Sequence, residues 1–254
     1  MPSFKLYLSL LLSAFGSSIL YAGSRPVKVE TGISVELALQ RKAELKEIHY
    51  SLDFNIPSNK KENVTGKEII SFNRQGISDL LIDFKAESSQ IKNVLANGKK
   101  VAYKFEKEHI IISSSNLKKG KNQIQISFIA GNQSLNRSDD YLYTLLVPER
   151  ARTAFPCFDQ PDLKARFTLK LEVPALWSAV SNTYTVNEKT IKERKTILYN
   201  ETELLPTYLF SFVAGKFKKH SCTRDGRSIN AFYRETDPKK IAQLDTILSQ
   251  VFSS

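Results

Sequence analysis

Apolar and polar residues alternate along most of this 254-residue chain. Alternation with a period of two is typical of β-strands that bury one face and expose the other. Two segments show the pattern most clearly, and each is predicted to be a strand. The positions predicted to be buried are Ile48, Tyr50, Leu52, Phe54 and Ile56 in the first and Phe167, Leu169, Leu171 and Val173 in the second.

Roughly a dozen such segments are separated by polar turns, which predicts a mainly β fold: an antiparallel β-sandwich or a saddle. Asn97 and Gly98 predict a two-residue hairpin, because both positions tolerate positive φ. Besides the two strands above, predicted strands lie within residues 66–73, 79–84, 93–103, 108–113, 122–130, 177–182, 194–200, 205–217 and 229–234.

Two segments have helical periodicity instead, one near each end of the chain. Residues 34–47 predict a short helix capped by Ser34. Residues 237–252 predict an amphipathic helix with Asp237 as its cap and Pro238 at its first position. The predicted apolar stripes are Val35, Ala38, Leu39 and Leu45 in the first helix and Ile241, Leu244, Ile247, Leu248, Val251 and Phe252 in the second.

Residues 1–24 are predicted to be a signal peptide, because Lys5 precedes an apolar run that ends in small residues near Ala22–Ser24. This predicts an exported protein, periplasmic or extracellular. A transmembrane anchor is the alternative, although serines and a glycine interrupt the run. No later segment approaches 18 apolar residues, so we expect no membrane span after signal cleavage.

The chain carries 37 Lys and Arg against 26 Asp and Glu, a formal charge of +11. Nucleic acid is not an expected partner, because the lysines are scattered and no basic-aromatic motif occurs. The charge indicates a solvated basic surface, and a sequence pI near 9.5 favours acidic surfaces as partners.

Metal and nucleophile motifs are missing from the sequence, so we expect no catalytic residue and no metal ligand in this chain. His49, His109 and His220 form no H-x-x-x-H pair, and each is interpreted as a surface or hydrogen-bonded histidine. Cys157 and Cys222 are too widely spaced for a usual zinc cluster. Cys157 is predicted to be a buried free thiol, and a disulfide, which export permits, is the alternative.

The segment "RTAFPCFDQPDLKARF", residues 152–167, differs from the strands around it. Two aspartates three residues apart in a proline loop fix no separation suited to a glycosidase. We therefore expect them to accept backbone N–H groups in turns, with Arg152 and Arg166 pairing with them. The segment is interpreted as a rigid interface strut, and its structural residues are Phe155, Pro156, Phe158, Asp159, Pro161 and Asp162.

The stretch "FPCFDQPDLKARFTLKLEVP" resembles the N-terminal domain of zinc aminopeptidases of the aminopeptidase N family, which includes the leukotriene A4 hydrolases. Further matching segments follow in the family's order, and the resemblance runs from about residue 34 to the end. They are "HYSLDFNIP", "VTGKEIISF", "LLIDF", "NVLANGKKV", "LKKGKNQIQISFIA" and "LPTYLFSFVAGKF".

The resemblance implies a saddle-like β-domain over residues 25–236 that packs on a thermolysin-like catalytic domain and shapes the substrate channel. Residues 237–254 then correspond to the first helix of a truncated catalytic domain. The family's G-A-M-E-N segment and zinc-binding H-E-x-x-H helix are absent from the chain. Zinc and peptide cleavage are therefore expected only in the full-length enzyme, and this chain alone is expected to be inactive.

The family's first domain also lends a Gln or Glu to the amino terminus of the peptide substrate. The matching positions here are Leu145 and Val147, which have no side-chain acceptor. Either Thr144 or Glu149 takes that role, or the specificity has shifted. The alternative function is a free-standing, non-catalytic β-sandwich that serves as a binding module. We favour the aminopeptidase domain, because a stand-alone module does not normally expose an apolar helix face.

Overall fold

The computed structural model describes residues 27–253, so the predicted signal peptide lies outside the described residues. The predicted mainly β fold is confirmed. The helices and strands, in chain order, are α1 (Val35–Glu44), β1 (Leu45–Asn55), β2 (Thr65–Arg74), β3 (Leu80–Asp83), β4 (Ile91–Ala96), β5 (Lys99–Lys100), β6 (Tyr103–Glu106), β7 (His109–Ile112), β8 (Gly120–Ile129), β9 (Leu135–Arg137), β10 (Tyr141–Thr144), β11 (Arg166–Pro174), β12 (Ser178–Ser181), β13 (Thr185–Ile191), β14 (Arg194–Tyr199), β15 (Phe212–Gly215), β16 (Lys218–Arg224), β17 (Arg227–Tyr233), α2 (Pro238–Ile241) and α3 (Leu244–Ser253).

Eight strands form the large sheet, in the order β13-β14-β11-β1-β2-β8-β4-β5. Neighbours are antiparallel except β1 and β11, which pair in parallel, so the sheet is mixed rather than purely antiparallel as expected. A parallel pair needs a long connection, and the chain between β1 and β11 supplies one. The register sets Tyr50 opposite Phe167 and Leu52 opposite Leu169, so both apolar sets share one face.

The core lies between that face and two smaller sheets, β12-β15-β10-β9 and β3-β7-β6. All nine apolar positions predicted in the first and second segments are buried. Phe54 of the large sheet contacts Phe212 of the β15 sheet, with ring centroids 5.2 Å apart. The predicted hairpin is also confirmed: Asn97 and Gly98 both have positive φ between β4 and β5.

Helix α1 begins after Ser34, whose hydroxyl accepts the Leu37 N–H at 3.2 Å, as predicted. The predicted apolar stripe is wrong at Val35 and Leu39, which are 71% and 63% exposed, whereas Leu45 is buried but is the first residue of β1. Leu37 and Arg41 face the protein instead. An ion pair of Arg41, described below, holds this side of α1 against the protein. A pattern of apolar residues does not indicate a buried charged residue.

The predicted C-terminal helix is divided into α2 and α3. Its start is confirmed, because the Asp237 carboxylate accepts the Lys239 N–H at 2.9 Å. Helix α3 packs on the β16–β17 hairpin, and Leu248 is buried whereas Ile247 and Val251 stay exposed. The apolar side of α3 is thus only partly covered. None of the helices within residues 27–253 is long and apolar enough to cross a membrane.

Candidate functional site

The proline-bounded segment lies in the centre of the core, where residues 151–160 are all buried. The Phe155 ring packs edge-on against Tyr50, Phe54 and Phe210, with centroids 5.7–6.4 Å apart. The Phe158 N–H donates to the Tyr50 hydroxyl at 2.9 Å. Pro161 and Asp162 are exposed, so the segment reaches the surface only there, and Leu163, Ala165 and Phe167 return to the core.

Cys157 joins this segment to strand β3 through two backbone hydrogen bonds with Asp83, of 2.8 and 2.9 Å. Its thiol is free and buried, which confirms the predicted buried free cysteine; the disulfide alternative is not formed. Burial raises the pKa of the Cys157 thiol well above its ordinary value. The thiol therefore acts as a small apolar side chain rather than a nucleophile.

Three groups converge on the carboxylate of Asp83, which is fully buried. Arg41 donates to both oxygens at 2.5 and 2.9 Å, and the Asp159 N–H donates to Oδ2 at 2.9 Å. His109 Nδ1 lies 2.8 Å from Oδ1. Burial alone raises the pKa of Asp83, but Arg41 and His109 outweigh it and lower that pKa to about 2.

No local sequence pattern indicates this cluster, because its members are distant along the chain: Arg41 and Asp83 are 42 residues apart. His109 is a hydrogen-bonded histidine, as interpreted, since its Nε2 lies 2.8 and 3.0 Å from the Glu30 and Gly32 carbonyls. The two carbonyls accept, so Nε2 carries a proton. Arg41, Asp83 and His109 thus tie α1, β3 and β7 to the proline-bounded segment.

The two aspartates of the segment have different surroundings. Asp159 is buried and accepts the Arg152 N–H at 3.1 Å and the Thr207 hydroxyl at 2.7 Å, so it accepts a backbone N–H as expected. Burial is the main cause of its raised pKa. Asp162 is exposed and pairs with Lys42 at 2.9 Å.

The expected pairing of the two arginines with these aspartates is wrong. The guanidinium of Arg152 pairs with Glu108 and Glu149, and that of Arg166 pairs with Glu201 and Glu203. The oxygens of Asp159 are already occupied by Thr207 and a backbone N–H. The arginine side chains therefore pair with glutamates nearer the surface.

The outer side of the β12-β15-β10-β9 sheet presents an apolar surface that we call the β10 face. Along the chain, Tyr143, Leu145 and Val147 are 41%, 50% and 51% exposed, whereas Leu142 and Leu146 between them are buried. Directly opposed residues of neighbouring strands share a face. We define the β10 face as Tyr141 and Tyr143 of β10, Val213 and Val180 of the next two strands, and the exposed Leu145 and Val147 directly after β10.

The two residues suggested as substrate contacts lie beside this face. The Thr144 hydroxyl accepts the Phe212 N–H at 3.0 Å and donates to the Phe212 carbonyl at 3.2 Å, so both of its bonds hold β10 to β15. Glu149 is exposed, and one of its oxygens lies 3.4 Å from Arg152. A substrate role for either residue stays a prediction, and Glu149 has the more accessible acceptor.

No three His, Cys, Asp or Glu side chains within the described part of the chain are grouped so that they could hold a metal ion. His49 pairs with Glu201 at 3.2 Å and His220 with Asp245 at 2.7 Å. The resemblance implies zinc only in the catalytic domain of the full-length enzyme, so these residues are not expected to hold it.

Comparison with protein families matches residues 46–209 to the peptidase M1 N-terminal domain. Aminopeptidase M1-D from rice (Oryza sativa subsp. japonica) is 41% identical over 83 residues, 32% of this chain and 10% of the relative. Probable aminopeptidase 1 from Sulfurisphaera tokodaii is 30% identical over 179 residues, 67% of this chain and 21% of the relative. The chain thus spans between a tenth and a fifth of these relatives' lengths.

Among solved structures, the M1 zinc metallopeptidase from Deinococcus radiodurans bound to a Tyr-Ser-Ala substrate superposes with a TM-score of 0.63. The alignment covers 77% of this chain and 49% of that one at 17% identity. Another structure of that metallopeptidase gives a TM-score of 0.61 over 74% of this chain. At this identity the superposition supports a shared fold.

Proposed function

The chain belongs to the peptidase M1 N-terminal domain family, and from that membership we propose that it is the non-catalytic first domain of an exported zinc aminopeptidase. In this proposal the domain packs on a catalytic metallopeptidase domain and forms one wall of the channel that admits peptides. Residues 237–254 begin that catalytic domain. The proposed enzyme is longer than this chain, and the whole chain is its N-terminal part.

The β10 face is the observation that carries the proposal. Leu145 and Val147, directly after β10, are about half exposed although their side chains are apolar. Contiguous apolar side chains on a soluble domain usually mark a binding surface. The β10 face also contains the positions that the family uses at the substrate's amino terminus. In this proposal the surface that docks on the catalytic domain therefore adjoins the wall of the substrate channel.

In the proposed enzyme, Leu145 and Val147 exclude water from the channel and contact the first side chain of the peptide. Glu149 provides a carboxylate for the peptide's α-ammonium group. Zinc, when bound by the catalytic domain, supplies an activated water for hydrolysis. The described residues of this chain do not fit a zinc site, so their proposed part is confined to docking, orientation and water exclusion.

The direct test is the DNA that follows codon 254. An H-E-x-x-H helix encoded in frame or in an adjacent gene is expected, and the combined protein should hydrolyse aminoacyl p-nitroanilides until a zinc chelator is added. The 254-residue chain alone, supplied with zinc, should give only background. A true stop codon with no such sequence nearby supports the free-standing binding module instead, and activity of the chain alone contradicts the proposed division of roles.

Variants in the combined enzyme test the β10 face. Leu145→Asp should lower kcat/KM, because a charge among the apolar side chains of the β10 face disfavours both the peptide's first side chain and the docking of the catalytic domain beside it. Leu176→Asp is the matched control, since Leu176 is exposed and lies outside the β10 face. Equal effects of the two substitutions contradict a docking role.

Glu149→Gln should raise KM for peptides with a free amino terminus, whereas Glu203→Gln, which changes another exposed glutamate, should not.

Export is proposed from residues 1–24, which lie outside the described residues. Fractionation of the producing cells followed by mass spectrometry of the purified protein tests it. We expect a periplasmic or extracellular protein shortened by about two dozen residues. An intact N-terminus in the cytosolic fraction contradicts this part of the proposal and leaves the docking role untouched.

A further inference from the structure

Five lysines lie at one end of the large sheet, on the β4–β5 hairpin, in the turn that leads into β8 and at the start of β8. We call this set the lysine edge, and all five side chains are exposed. The lysine ion pairs among the described residues involve other lysines, so these five charges have no carboxylate partner there. The lysine edge consists of Lys99, Lys100, Lys118, Lys119 and Lys121.

Two asparagines hold the two lysine-bearing turns against each other. Asn97 Nδ2 donates to Asn122 Oδ1 at 3.1 Å, and the Asn97 N–H donates to the Gln123 carbonyl at 2.8 Å. Buried Asn122 also accepts the Lys118 N–H at 2.9 Å and donates to the Lys118 carbonyl at 2.8 Å. The lysine backbones are thus fixed in position before any partner binds, which reduces the entropy lost on binding.

The groove beside Lys121 contains little negative charge. This shallow groove is lined by eight residues, of which Glu47 alone carries a carboxylate. Five positive charges without a carboxylate partner on one end of the sheet repel one another, which opposes folding slightly. An anionic partner would remove that repulsion, so the edge is suited to one.

We propose that the lysine edge docks on the phosphate headgroups of an anionic phospholipid membrane. Lysine is a hydrated point charge that suits diffuse attraction to a charged surface. Recognition of nucleic acid typically adds arginine forks and aromatic stacking, and neither turn contains an arginine or an aromatic residue. The inference concerns where the protein binds and is independent of the proposed peptidase role.

The test uses the full chain and vesicles of phosphatidylcholine with or without phosphatidylglycerol. The edge variant is Lys99→Gln/Lys119→Gln/Lys121→Gln. The control variant, Lys60→Gln/Lys61→Gln/Lys192→Gln, removes the same charge from exposed lysines at the opposite end of the sheet. Any binding through residues 1–24 is common to both variants and cancels in the comparison.

The unmodified chain should bind phosphatidylglycerol vesicles much more than phosphatidylcholine vesicles and release as salt is added, apart from any salt-resistant binding through residues 1–24. Each lysine removed from the edge should lower the partition coefficient about fivefold at low salt. The control variant should bind much more tightly than the edge variant. Equal binding by the two variants, no dependence on phosphatidylglycerol, or tighter binding to heparin or DNA of equal charge would overturn the proposal.

Discussion

Arg41 and Asp83 form an ion pair with two hydrogen bonds, of 2.5 and 2.9 Å, and neither side chain is more than 3% exposed. The pair joins α1 to β3, and Asp83 also binds the backbone of Asp159. A buried charge left without its partner has a large desolvation cost. The conformation of the proline-bounded segment therefore depends on this pair.

Asp83→Asn should destabilise the chain by about 3–5 kcal/mol, because Arg41 keeps a buried charge with no anion beside it. Urea unfolding followed by circular dichroism measures the change. Asp162→Asn is the matched control: it breaks an exposed pair with Lys42 and should cost less than about 1 kcal/mol. Similar losses for the two variants would show that burial of the pair is unimportant.

The same pair predicts how acid affects stability. The pKa of Asp83 is lowered to about 2 in the folded chain, against about 3.9 for an unfolded aspartate. A lowered pKa contributes stability above the unfolded value, and this contribution is lost as pH falls through the folded value. The native chain should thus lose stability below about pH 4, and Asp83→Asn should lose less over that interval.

Glu68 lies on the buried face of β2, and neither of its carboxyl oxygens has a hydrogen-bond partner. Burial raises the pKa of Glu68 well above its ordinary value. The Glu68 carboxyl group therefore stays protonated in the folded chain, whereas in the unfolded chain it loses its proton above about pH 4.3. The free energy of unfolding consequently falls as pH rises through that value.

Glu68→Gln should remove this decline, because an amide has no proton to release. The difference in unfolding free energy between variant and native chain should change by up to about 1.4 kcal/mol for each pH unit above about 4.3, until the folded pKa is reached. Urea titrations across pH measure it. Glu62→Gln, at an exposed glutamate, should show no such trend, and a flat difference for Glu68→Gln would contradict the prediction.

Phe155→Ala should destabilise the chain by about 3–5 kcal/mol, because Phe155 is fully buried and packs against three aromatic rings. Thermal unfolding by calorimetry measures the change. Leu176→Ala is the control, since an exposed side chain contributes little. An unchanged melting midpoint for Phe155→Ala would refute the structural role assigned to the segment.

The two cysteines should react differently with iodoacetamide. Cys157 is buried with a raised pKa, whereas Cys222 is only partly buried on β16. Native protein should therefore be modified at Cys222 alone, and urea should expose Cys157 to the reagent. Peptide mapping by mass spectrometry identifies the site, and Cys157→Ser supplies the control. Rapid modification of Cys157 in the native chain would contradict its burial.

Much of this fold follows from local sequence patterns. Strict alternation in β1 and β11 placed Tyr50 and Phe167 on a buried face, because successive strand residues point to opposite sides. Ser34 and Asp237 identified helix starts, since a cap acts on N–H groups within the next turn. Each of these features depends on residues a few positions apart, so the local sequence predicts it without the packing of the whole chain.

Tertiary structure decided whatever depends on distant residues meeting. The burial of Arg41, the clustering of Arg41, Asp83 and His109, and the parallel β1–β11 pairing have no local signal. The lysines of the edge are scattered in the sequence, and the hydrogen bond between Asn97 and Asn122 joins the turns that carry them. The physical reason is that ion pairs and surface charge depend on distances in space, which packing of the whole chain sets, whereas periodicity reports only which way each side chain points.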